Sequence, residues 1–91
     1  MYWTTGSGLI ELNITKKDAA IASHPGPCDN DILLLSNKPS IKKQLDKIPA
    51  EILANELKEY GAWDNDELAD HNQNLQRILW IAAGDVADGN F

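Results

Sequence analysis

Cysteine is almost missing from this chain: Cys28 is the one thiol among 91 residues. An internal disulfide and a cysteine-rich zinc site are thereby excluded. Aromatic residues make up only 7 %, so each of the few tryptophans and tyrosines has to be accounted for. Bases are scarce as well, with eight Lys and Arg against fourteen Asp and Glu and a net charge of −6. No apolar run approaches the roughly 18 residues that a membrane helix needs. Met1-Tyr2-Trp3-Thr4 also lacks the basic start and apolar stretch of a secretion signal. The expected location is therefore the cytoplasm. Phosphate-loop chemistry has no support, because Gly6-Ser7-Gly8 lacks a lysine and a following helix pattern. Neither Asp29-Asn30-Asp31 nor Asp64-Asn65-Asp66 continues into the glycine and distant glutamate of a calcium loop.

What is present suits one small folded unit. With 43 % hydrophobic and 24 % charged residues, residues 1–91 read as a single domain whose core is thin for its surface. Charge is unevenly divided. Residues 1–50 carry Lys16, Lys17, Lys38, Lys42, Lys43 and Lys47 against Glu11, Asp18, Asp29, Asp31 and Asp46, and are nearly neutral. Residues 51–91 carry Lys58 and Arg77 against Glu51, Glu56, Glu59, Asp64, Asp66, Glu67, Asp70, Asp85 and Asp88. Capture of nucleic acid by phosphate neutralisation needs clustered Lys and Arg, so direct nucleic-acid binding is not expected. Docking on an anionic membrane is disfavoured by the same field. A concentrated acidic face attracts basic surfaces instead, or simply keeps a small protein soluble.

Periodicity predicts a mainly α-helical fold, a bundle of four or five helices with a short N-terminal β strand or hairpin. Ile10, Leu12 and Ile14 alternate with Glu11 and Asn13, which is the period of a half-buried strand. Tyr2-Trp3-Thr4-Thr5 can pair with it across Gly6-Ser7-Gly8. Thr15 caps a short helix that reaches about Ser23 and stops at His24-Pro25-Gly26-Pro27. Asp29 is a candidate N-cap for the helix holding Ile32, Leu33, Leu34 and Leu35; four adjacent apolar residues face all round, which predicts a central position. Pro39 and Pro49 open two further helices. Ile41, Leu45 and Ile48 form the buried stripe of the first, and Ile52, Leu53, Leu57 and Tyr60 the apolar face of the second, with Gly61 as its left-handed cap. Asp64 and Glu67 have capping-box spacing, and Trp63 with Leu68 that of a hydrophobic staple. The last helix is then expected from about Asn65 to Ala83 or beyond, with Gly84 and Gly89 as fraying points.

Few arrangements of residues in the chain bear on chemistry. Cys28 at a helix mouth favours a thiolate, but no base or oxyanion site is fixed against it, so a buried turn residue is the plainer reading. His71 with Glu67 one turn earlier, or His24, Cys28, Asp29 and Asp31, offer partial metal sets short of the four ligands of a structural zinc. Acids at helix starts are held ionised by the helix dipole rather than poised for proton transfer. Trp3, Trp63, Trp80, Tyr2 and Tyr60 are either core residues or anchors in a partner surface.

The segments Leu57-Lys58-Glu59-Tyr60-Gly61-Ala62-Trp63-Asp64, Glu67-Leu68-Ala69-Asp70-His71 and Arg77-Ile78-Leu79-Trp80-Ile81-Ala82-Ala83-Gly84-Asp85, with Ser23-His24-Pro25-Gly26-Pro27-Cys28-Asp29, resemble small uncharacterised proteins of bacteriophages and integrated elements. In size and acidity the chain is similar to anti-CRISPR proteins. The resemblance implies a bacterial host cell and an inhibitor of a host nucleic-acid-binding defence complex, acting by protein binding with no cofactor and no metal. The expected partner is a host protein or complex with a basic groove, met by Glu56, Glu59, Asp64, Asp66, Glu67 and Asp70 with Trp63 as an aromatic anchor, in imitation of nucleic-acid phosphates. Two alternatives stay open. One is a small metal- or thiol-dependent enzyme around Cys28, His24 and His71. The other is an oligomerising protein that buries Trp80, Ile81 and Val86 between subunits. Monomer and homodimer are both compatible with the sequence.

Overall fold

The computed structural model describes residues 2–22 and 30–89; Cys28, His24, Asp29 and the proline breaker lie outside them. Strand β1 (Tyr2–Thr4) pairs antiparallel with β2 (Glu11–Asn13), Trp3 opposite Leu12. The turn between them is closed by the Thr5 amide on the Ile10 carbonyl at 3.0 Å and the Gly8 amide on the Thr5 carbonyl at 2.9 Å. Gly8 supplies the positive φ, 76°, that this turn requires. The expected alternation is realised: Ile10, Leu12 and Ile14 are all buried. On the outer edge of β2, Gln44 acts as a substitute strand. Its Oε1 accepts from the Asn13 amide at 2.6 Å, and its Nε2 donates to the Asn13 carbonyl at 3.0 Å.

Five helices follow: α1 (Lys16–Ala22), α2 (Asn30–Asn37), α3 (Pro39–Leu45), α4 (Ala50–Lys58) and α5 (His71–Asp88). The Thr15 hydroxyl caps α1 by accepting from the Asp18 amide at 3.1 Å. Pro39 is the first residue of α3, where its missing N–H costs nothing. Pro49 stands one place earlier, as the extended residue before α4. Lys38 reaches back from the α2–α3 junction to Asp18 at 2.7 Å, and the Asp18 carboxyl is held below its ordinary value chiefly by that bond.

The central helix is α5 rather than α2. Helix α5 meets α1, α2, α4 and β1, and Ile78, Leu79, Ala82, Ala83 and Val86 are fully enclosed. Only one face of the eight-residue α2 reaches the core: Ile32 and Leu35 are buried, whereas Leu34 is 71 % exposed. Four consecutive apolar residues therefore mark a peripheral helix with a wet apolar side, not a hub. Gly84 does not fray the end of α5; the helix runs through it to a left-handed cap at Gly89. Val86 belongs to the chain's own core, which removes it from a subunit interface, while Trp80 and Ile81 are half-buried against the same core.

One polar bond ties the hairpin to this helix. Trp3, buried beneath the sheet, donates its indole N–H to Asp85 Oδ2 at 2.7 Å. Replacing Trp3 with Phe leaves a half-buried carboxylate without its donor and should cost about 1.5–3 kcal/mol, as expected for a hydrogen bond to a charged group. Leu34→Ala, on the wet side of α2, should stay within about 0.5 kcal/mol. Urea unfolding midpoints of the two variants measure the contrast.

Candidate functional site

The acidic residues singled out in the sequence fall on α4 and on the connection to α5. That connection begins at Glu59 and turns at Gly61, whose φ is 72°. The expected capping box forms: the Glu67 amide donates to Asp64 Oδ1 at 2.9 Å, and the Asp64 amide to Glu67 Oε1 at 3.2 Å. It does not open the long helix, however. It starts one turn of 3-10 helix, Glu67–Ala69, after which Asp70 swings to extended angles, φ −88° and ψ 103°. Asp70 then caps α5 in its own right, accepting from the Gln73 amide at 3.1 Å. The last helix accordingly begins at His71, six residues later than its periodicity suggested. Glu67 and His71 are thus on separate elements rather than on one helix face.

The physical reason for the break is a pair of polar side chains inside α5. Asn74 donates its amide to the Leu68 carbonyl at 2.7 Å. Arg77 Nη1 donates to the Glu67 carbonyl and to Asn74 Oδ1, both at 2.9 Å. The Arg77 guanidinium also lies 5.2 Å from the centre of the Trp63 ring, a cation–π contact. Arg77 is only 4 % exposed, so this cation is withdrawn from the surface and spent on the backbone of the acidic turn. Together these contacts replace a helical ladder for the Glu67 and Leu68 carbonyls and fix the turn against α5. Neither Arg77 nor Asn74 was among the expected site residues; their signal was their polarity at i, i+3 beside Leu75, Ile78 and Leu79.

The expected carboxylates do not form one equivalent set. Glu59, Asp64, Asp66, Glu67 and Asp70 are exposed, and the ion pair found among the described residues, Lys38–Asp18, involves none of them. Glu56 is different: it is 4 % exposed, on the same side of α4 as Leu53 and Leu57. The Ser7 hydroxyl donates to its Oε1, and so does the Thr5 hydroxyl at 3.3 Å. Trp63 is half-buried on Arg77 and the core, so part of its surface serves the fold and part stays open.

Glu56, Glu59, Tyr60, Thr5 and Gly6 line a cleft of about 210 Å³. Burial, and then the negative charges of Asp85, Glu56 and Glu59, push the Tyr60 phenol above its ordinary value of 10.0. A larger cleft, about 320 Å³, lies between α2, α3 and the first turns of α5, with both Lys42 and Asp46 in its wall and so no single sign of charge. Among the described residues, no three His, Cys, Asp or Glu side chains come together to hold a metal ion, and no helix is long and apolar enough to cross a membrane.

Two outcomes are expected. Asn74→Ala or Arg77→Met should destabilise the chain by about 2–4 kcal/mol, because each strands buried partners, whereas Lys58→Met on the exposed side of α4 should change little; denaturant unfolding distinguishes them. In a Tyr2→Phe background, the midpoint of the Tyr60 phenolate absorbance should lie above 10.0. Since the folded value is raised, the associated stability is complete below the unfolded value and is lost as pH climbs through the folded one. Glu59→Gln should lower the Tyr60 midpoint without normalising it, burial being the larger cause. No family model matches the chain, and no curated protein or solved structure shows significant similarity to it.

Proposed function

We propose that this chain is a non-enzymatic acidic binding module that docks on the basic groove of a partner protein, and so blocks a nucleic-acid-binding complex of the anti-CRISPR kind. The observation that carries this reading is the turn between α4 and α5. Five exposed carboxylates, Glu59, Asp64, Asp66, Glu67 and Asp70, are borne on twelve consecutive residues with no lysine paired to them among the described residues. The nearby cation that would cancel them, Arg77, is turned inward. A turn pinned by side-chain bonds to its own backbone carbonyls presents charge at fixed positions, which favours complementarity with a groove that ordinarily holds phosphates. Glu59 adds to this support: it stands at the C-terminal end of α4, where the helix dipole disfavours a negative charge. Such local conflicts tend to collect at functional positions.

Neutralising the turn tests the reading without unfolding it. Asn and Gln keep the capping acceptors, so Glu59→Gln, Asp64→Asn, Asp66→Asn, Glu67→Gln and Asp70→Asn combined should fold normally. The native chain, immobilised, should retain a bacterial nucleic-acid-binding complex that added duplex DNA or raised salt displaces. The neutralised chain should lose that retention by at least about tenfold, through slower association above all. Equal retention by both chains, or indifference to DNA and salt, rejects electrostatic capture.

A further inference from the structure

We propose that the cleft between the β1–β2 turn and the end of α4 is a receptor for one arginine side chain of the protein partner, with Glu56 at its floor and Glu59 and Tyr60 at its rim. The inference rests on the reading of the chain as a binder of basic surfaces, and adds where a single cation would seat.

The floor is an incomplete ion site. Glu56 is 4 % exposed, yet among the described residues no Lys, Arg or His pairs with it. Both hydroxyl donors, Thr5 and Ser7, go to Oε1. Oε2 has no hydrogen bond among the described residues and is not sealed off from solvent, on a side chain that lines the cleft. A largely enclosed carboxylate with its donors on one oxygen leaves the other oxygen able to accept from a cation that enters the cleft. The hydroxyls fix its orientation but bring no positive charge. The surroundings reinforce the demand, since Asp85 and Glu59 add negative charge around Tyr60.

The shape and chemistry select the occupant. A divalent metal is poorly served: calcium takes about six to eight oxygen ligands, and no group of three acids forms here among the described residues. At about 210 Å³, the cleft falls short of the roughly 300–1,000 Å³ typical of small-molecule sites, but it suits one side-chain head. Tyr60 is 45 % exposed and lines the same cleft as the two carboxylates. A guanidinium is planar, weakly hydrated and carries donors on several sides, so it can bond Glu56 and Glu59 while stacking on the phenol ring. An ammonium is a compact, strongly hydrated charge and gains less from the ring.

The experiment is an amide-resonance NMR titration of the isolated chain with Nα-acetyl-argininamide, with the lysine and citrulline analogues as comparisons. Saturable shifts confined to Gly6, Glu56, Glu59 and Tyr60 are expected with the arginine probe, weaker ones with lysine, and none with the uncharged citrulline. Glu56→Gln should weaken the arginine response about tenfold, as loss of a charge-assisted bond implies. Glu59→Gln, at an exposed position that the fold does not need, should weaken it severalfold. Absence of a saturable shift, an unchanged response in both variants, or lysine binding as tightly as arginine overturns the proposal. Because no partner is needed, failure here leaves the neutralised-turn experiment unaffected, and failure there leaves this titration unaffected.

Discussion

The contact between Arg77, Asn74 and the carbonyls of Glu67 and Leu68 governs the arrangement of this molecule. A guanidinium enclosed in a thin core is expensive; carbonyl and amide oxygens bind its Nη1 and the Trp63 ring lies against it, while its buried Nε has no hydrogen-bond partner among the described residues. In return the segment between α4 and α5, which has little regular structure of its own, acquires a defined path. The break at Asp70, the late start of α5 and the outward display of the neighbouring acids all follow from where those two carbonyls are held.

The same contact resolves an electrostatic difficulty. Crowding acids into one connection sets like charges against each other, at a cost to the compact state. The helix starts relieve part of it: Asp64 and Asp70 accept backbone amides, and Glu67 completes the capping box. Arg77 binds the backbone beneath the turn and pairs with none of its carboxylates among the described residues. Stability and display are therefore served by different atoms of the same residues: capping oxygens bind the backbone, and net charge remains available to the solvent side.

Much of the fold was legible because it is encoded locally. The alternation from Ile10 to Ile14, Pro39 at the start of α3 and the Asp64–Glu67 capping box each act within a few residues and each forms, although Pro49 stands one place before α4 and the capping box starts a 3-10 turn instead of the long helix. The misreadings came where tertiary contacts decide. Nothing local announces that Asp70 interrupts a helical pattern already capped at Asp64, since the competitors for those carbonyls, Asn74 and Arg77, lie a turn or more away. Glu56 was grouped with the surface acids by charge alone, although its spacing from Leu53 and Ile52 already put it on the buried side of α4. The run Ile32 to Leu35 departs in the opposite sense: hydrophobicity on all sides predicts enclosure, but only Ile32 and Leu35 are enclosed. For the candidate site, the identity of the exposed acids could be read from composition, whereas the cleft depends on a meeting of Thr5 and Ser7 with α4 across some fifty residues of chain.

The amide of Gln44 has an implication for how this protein behaves when crowded. By occupying both hydrogen-bonding groups of Asn13, it acts as a stopper at the end of β2, on the side of the ribbon facing away from β1. A neighbouring strand that approached there would have to displace a side-chain amide already paired with the backbone, which disfavours growth of the sheet at that end of β2.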